Sequence, residues 1–94
     1  MGNIQYWDIG DKTMKAYKYV GKANIIGDRV KEARLKLGIS QSDLAARMQT
    51  NEIIVEQKAI SRIENRERFV VDFELLILSK ILNVSVDWLL TGAD

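Results

Sequence analysis

The chain contains neither cysteine nor histidine. Without thiols or imidazoles it can build no disulfide scaffold, zinc finger or Cys/His nucleophile system, and it has few means of holding a transition metal. It carries no GxGxxG or phosphate loop, and its acidic residues are scattered. No converging catalytic set is legible, so an enzyme is the least expected reading, and no cofactor is implied. No apolar run approaches the ~18 residues a membrane span requires. The opening MGNIQYWDIGDK places acids where a signal peptide would be basic. The expectation is a cytoplasmic protein without a membrane partner. With 47% hydrophobic and 29% charged residues, the 94-residue chain has the composition of one small globular domain.

Net charge is only +1, but it is unevenly spread. Residues 1–24 carry +2, residues 25–68 carry +2 with nine Lys/Arg, and residues 69–94 carry −3. That asymmetry suits a polyanion-facing part followed by a part turned to solvent or a protein partner.

The first 24 residues, punctuated by Gly2, Gly10 and Gly21, do not read as helix. Alternation around Tyr17 and Tyr19 reads as a short strand over 15–20, with 1–13 weakly ordered. From Ile26 the period becomes helical. Ile26, Val30, Ala33 and Leu37 recur at spacings of three and four, and Gly38 ends the helix. Ser40 with Asp43 forms a capping-box pattern opening a second helix, Gln41 to Met48. A polar connection, Gln49 to Glu56, holds the triplet Ile53-Ile54-Val55, one member of which should plug the core. A third helix spans about 56–65. Asp72 caps a fourth over 73–82, with Leu75, Leu76, Leu78 (or Ile77), Ile81 and Leu82 as its apolar face. Ser85 caps a last helix, VDWLLT, stopped by Gly92. The fold class is all-α: five helices after a short N-terminal extension (1–24), with 25–92 as the domain.

The third helix carries the chemistry. At about 100° per residue, Ala59, Ile60 and Ile63 of QKAISRIENR point one way. Gln57, Lys58, Ser61, Arg62 and Asn65 share an arc of roughly 140° on the other. These are donors and mixed donor–acceptors without a carboxylate. Gln can bond an adenine edge twice, Arg or Lys a guanine edge, and Asn or Ser a phosphate. The plainer alternative is an amphipathic surface helix with solvated charges.

In combination, RVKEARLKLGISQSDLAARM, AISRIENR and ILNVSVDWLLTG resemble the Cro/repressor-type (XRE-like) helix-turn-helix family, over roughly 25–91. The resemblance implies a sequence-specific regulator of transcription, most often a repressor, that binds double-stranded DNA as a homodimer on a near-palindromic operator. It implies base contacts by Gln57, Lys58, Ser61 and Arg62. Backbone contacts would fall to Ser40, Gln41, Asn65, Arg66 and Arg68, with Gln41 also bracing Gln57. Arg34 and Glu64 occupy the positions of a structural ion pair between helices one and three. Trp88, Leu89 and Leu90 read first as core; a dimer contact, for Trp88 and Leu89, is the second reading, because relatives often pair through this last helix.

The chain departs from the family in three places. Eleven residues separate Met48 from Ile60, a longer link than in close phage relatives. Arg66 stands where the family usually has glycine, and a non-glycine residue there is strained if the backbone stays left-handed. The leader has no family counterpart. Its Lys12, Lys15, Lys18 and Lys22 could form a DNA-touching arm, with a solvated tail or edge strand as the plainer reading. The competing function is an antitoxin-like or adaptor module using the same fold mainly for a protein partner.

Overall fold

The computed structural model describes residues 18–93; the expectations for 1–17, including the first part of the strand and Lys12 and Lys15, lie outside them. Five helices follow in order: α1 (Gly27–Leu37), α2 (Gln41–Thr50), α3 (Gln57–Glu64), α4 (Asp72–Leu82) and α5 (Val86–Thr91). No strand forms among the described residues. Tyr19 and Lys22 instead exchange two backbone hydrogen bonds, of 2.8 and 3.0 Å. Val20 and Gly21 between them have φ of 51° and 77°, the signs of a type I′ hairpin turn. The chain thus reverses where a strand was expected to continue.

All five helices and the α2–α3 link contribute to one core. Val30, Leu44, Met48, Ile60, Ile63, Leu78 and Leu89 are fully enclosed, and Val55 is the plug supplied by the link. Each such side chain stabilises the fold by ~1.5–3 kcal/mol. Ile54, next to Val55, is 92% exposed. Leu37 and Leu76, expected inside, stand 41% and 46% exposed. On α1 the inward position at that end belongs to Arg34 rather than to Leu37.

Both halves of the Ser40–Asp43 capping box are formed: Ser40 Oγ accepts from the Asp43 N–H, and the Asp43 carboxylate accepts from the Ser40 N–H, each at 3.0 Å. These bonds, Ser40's backbone N–H first and its hydroxyl second, hold the Asp43 carboxyl below the usual carboxylate range, aided by Arg47. α4 begins one residue earlier than predicted. Val71, not Asp72, has the extended cap conformation, and Glu74 reaches back to accept its N–H at 3.1 Å. Ser85 caps α5 by accepting from the Trp88 N–H.

α2 runs two residues past Met48 because its end is closed by backbone bonds that no glycine announces. The N–H of Ile53 donates to the Met48 carbonyl (3.0 Å) and that of Glu52 to the Gln49 carbonyl (2.9 Å). This is the Schellman pattern, with Glu52 left-handed at φ 67°. The same pair of bonds closes α1 at Gly38, α3 at Arg66 and α4 at Asn83. The lengthened link is pinned further by Gln49 Nε2, which donates to the Val55 carbonyl.

Candidate nucleic-acid interface

The apolar anchors of α3 are its isoleucines: Ile60 and Ile63 are wholly buried, while Gln57, Lys58, Arg62 and Asn65 are exposed and Ser61 is half-buried. Two charges inside fix its rotation. Arg34 on α1 donates through Nε to Glu64 Oε2 (2.6 Å) and through Nη2 to Oε1 (3.0 Å), and its Nη1 reaches the Ile39 carbonyl at 2.9 Å. Both residues are buried. The Glu64 hydrogen bond, helped by its charge and opposed by burial, raises the Arg34 pKa above even its ordinary value.

Glu64 Oε1 also accepts from Gln41 Nε2 at 3.0 Å, and Gln41 Oε1 accepts from Gln57 Nε2 at 2.6 Å. An unbroken row therefore runs from a buried guanidinium to an exposed amide: Arg34, Glu64, Gln41, Gln57. An ionised carboxylate only accepts, so Gln41 must turn its NH₂ towards Glu64 and its oxygen towards Gln57. Gln57 must then give one N–H to Gln41. It keeps its other N–H and its carbonyl oxygen, a donor and an acceptor side by side at the first turn of α3.

Ser40 Oγ accepts within the cap, which leaves its own O–H as a donor. The N–H groups of Gln41 and Ser42, in the first turn of α2, have no acceptor within the helix. Lys58 and Arg62 border a cleft of about 330 Å³ together with Glu56, Ala59 and Arg68. Arg68 is not free there. Its Nη1 and Nη2 grip Glu74 Oε1 and Oε2 at 3.0 and 3.1 Å, and Nη1 also meets the Phe69 carbonyl. Arg66 is half-buried, left-handed at φ 63°, and gives its Nε to the Asn24 carbonyl at 3.0 Å. Of the five backbone candidates, Ser40 and Asn65 are open to solvent, Gln41 is half-buried within the row, and the two arginines are engaged inside the chain.

Leu89 is fully enclosed in the chain's own core, so of the two candidate pairing residues only Trp88 presents surface. Trp88 lines a separate groove of about 560 Å³ between α1 and α5, with Glu32, Lys36, Leu37 and Val84. No group of three acidic residues among the described ones is placed to hold a metal ion, and no described helix is long and apolar enough to cross a membrane.

Sequence reasoning missed three contributors. Asn24 was assigned to the extension, Glu74 was not paired with Arg68, and Gly27 was not singled out. A Cβ on Gly27 would come within 2.9 Å of the Glu64 carbonyl oxygen and closer still to that of Ile63. The one local signal was Asn24 three residues before Gly27 at a helix start, the spacing of a cap.

A helix-turn-helix family model matches residues 30–89. Among solved structures, the P22 c2 repressor in complex with synthetic operator 9T in the presence of Tl⁺ is 36% identical, covering 74% of this chain and 98% of that one, with a TM-score of 0.64. The solution NMR structure of the P22 c2 repressor DNA-binding domain is 32% identical over 77% of this chain and 93% of that one, with a TM-score of 0.61.

Proposed function

The chain belongs to the helix-turn-helix family of Cro/repressor (XRE) type, and from that premise we propose that it is a DNA-binding regulator of the repressor type, reading double-stranded DNA by sequence. The P22 c2 repressor, its structural relative, is seen on an operator. The observation that carries the reading to this chain is the row Arg34–Glu64–Gln41–Gln57, which ends in a preset amide on the exposed side of α3. In the major groove that amide offers N–H and C=O to the N7 and N6 groups of an adenine. Lys58 and Arg62, one turn apart, reach for guanine edges, with Ser61 beside them. Each good bidentate contact discriminates by ~1–3 kcal/mol.

Backbone contacts would come from the Ser40 hydroxyl and the N–H groups at the start of α2, where the helix dipole favours a phosphate. Asn65 lies at the other end of the reading helix. Arg66 and Arg68 add positive potential there, although Arg68 shares its charge with Glu74. The working unit is residues 25–92 together with Ala23 and Asn24, which bond to the end of α3, acting in the cytoplasm by binding rather than catalysis. Two copies on a near-palindromic operator would present their α3 helices about 34 Å apart, in successive major grooves. Trp88 is the proposed pairing contact.

Selection of bound duplexes from a random pool tests this reading. The native chain should enrich a near-palindrome, and the Gln57→Ala/Lys58→Ala/Arg62→Ala variant should not. Weak, salt-sensitive binding without enrichment by the native chain would contradict sequence reading and favour the partner-binding module.

A further inference from the structure

The side chain of Asn24 uses its entire hydrogen-bonding capacity. Its Oδ1 accepts from the N–H groups of Ile26 (3.1 Å) and Gly27 (2.9 Å) at the start of α1. Its Nδ2 donates to the carbonyls of Ile63 (3.1 Å), in the last turn of α3, and Arg68 (2.9 Å), in the link to α4. Two donors and two acceptor sites are all a carboxamide has. Because N–H groups lie on one side and carbonyls on the other, the orientation of the amide is not a free choice.

The backbone beside it adds two more ties to the same place. Ala23 N–H donates to the Arg66 carbonyl, and the Asn24 carbonyl accepts from Arg66 Nε, both at 3.0 Å. Arg66 is the residue held left-handed at the end of α3, a conformation costly for a side chain with a Cβ. Gly27 closes the joint, since only hydrogen fits between its Cα and the Ile63 and Glu64 carbonyls.

α3 is thus gripped at both ends. Gln41 holds its first residue; Asn24, 39 residues before Ile63 in sequence, holds its last turn. An eight-residue helix has little propensity to hold its own direction, so its tilt must come from such ties. Resting on the DNA-reading assignment above, we propose that Asn24 is a positioning residue that sets the angle at which α3 meets the groove and so controls base discrimination, without touching DNA.

Asn24→Ser and Asn24→Asp separate this role from helix capping. Both replacements keep an oxygen that can cap α1, and both lack the NH₂ that holds Ile63 and Arg68. The readout is the ratio of affinities for the duplex selected by the native chain and for the same duplex with one half-site base pair changed. It is taken under conditions where circular dichroism shows the variants folded. Arg29→Ala serves as the control, because it removes bonds to the Leu89 and Leu90 carbonyls and so loosens α1 from α5, not from α3.

Both Asn24 variants should lower the ratio about tenfold, the equivalent of one weakened base contact, with the salt slope unchanged. Arg29→Ala should lower the melting temperature and leave the ratio intact. An unchanged ratio in folded Asn24 variants overturns the proposal, as does failure of both variants to fold, which would make Asn24 a general support. A native chain with no base preference removes the DNA-reading premise itself, a failure distinguishable from the others because it is seen without any substitution.

Discussion

α1 and α4 end on Gly38 and Asn83; α2 and α3, the two helices of the proposed DNA-facing half, close with the same hydrogen bonds but end on Glu52 and Arg66. Glycine and asparagine enter the left-handed region easily, whereas glutamate and arginine do so at a cost of ~1–2 kcal/mol. The two regions are also held differently. α4 and α5 sit on the core through Leu78, Leu82 and Leu89, each with one arginine tie besides, Arg68 to Glu74 and Arg29 to the Leu89 and Leu90 carbonyls. α3 is tied by Glu64, Gln41, Asn24 and Arg66, whose bonds fix direction as well. Around the proposed reading helix the chain uses directional bonds and tolerates left-handed ends at Glu52 and Arg66. Elsewhere apolar burial and relaxed ends predominate, with fewer directional ties.

The largest effects should come from removing one support in each region. Glu64→Ala strands a buried guanidinium and should cost ~3–5 kcal/mol in denaturant unfolding. It should also abolish base preference, because Gln41 loses its anchor. Leu78→Ala leaves a cavity and should cost ~2–5 kcal/mol, yet retain base preference while folded. Equal loss of preference in both would erase the distinction between the regions.

Next come the helix ends. Glu52→Gly should stabilise the protein by ~1 kcal/mol, while Gly38→Ala should destabilise it by a similar amount. Thermal melts of the two variants check both signs, and a destabilised Glu52→Gly would show that Glu52 is not strained.

The smallest effect is in the α2 cap. The Asp43 pKa is lowered on folding, so its contribution is present above the ordinary carboxylate pKa of ~3.9 and is lost as pH falls through the lower folded value. Melting temperature followed from pH ~6 to ~2 should fall less steeply for Asp43→Asn than for the native chain.

The sequence made some of this legible and not the rest, for physical reasons. Caps at Ser40 and Ser85 and the two faces of α3 were readable because they depend on neighbours three or four residues away. The end of α2 was not, because a charged residue in the left-handed position carries no signal of a stop. Leu76 looked inward by period, yet α4 is apolar nearly all round and its periodicity could not choose a face. Asn24 was invisible as a joint because its partners lie 39 and 44 residues away. Arg68 looked like a free cation until α4 brought Glu74 beneath it.

The most direct test of the central claim is a double-mutant cycle of Gln41→Ala and Gln57→Ala, read as discrimination between the selected duplex and one altered at the adenine position. If Gln41 acts by presetting Gln57, the two losses should be coupled by about 1 kcal/mol or more, the double variant being little worse than Gln57→Ala alone. Additive losses would mean that Gln57 reads the base without its brace, and would contradict the account.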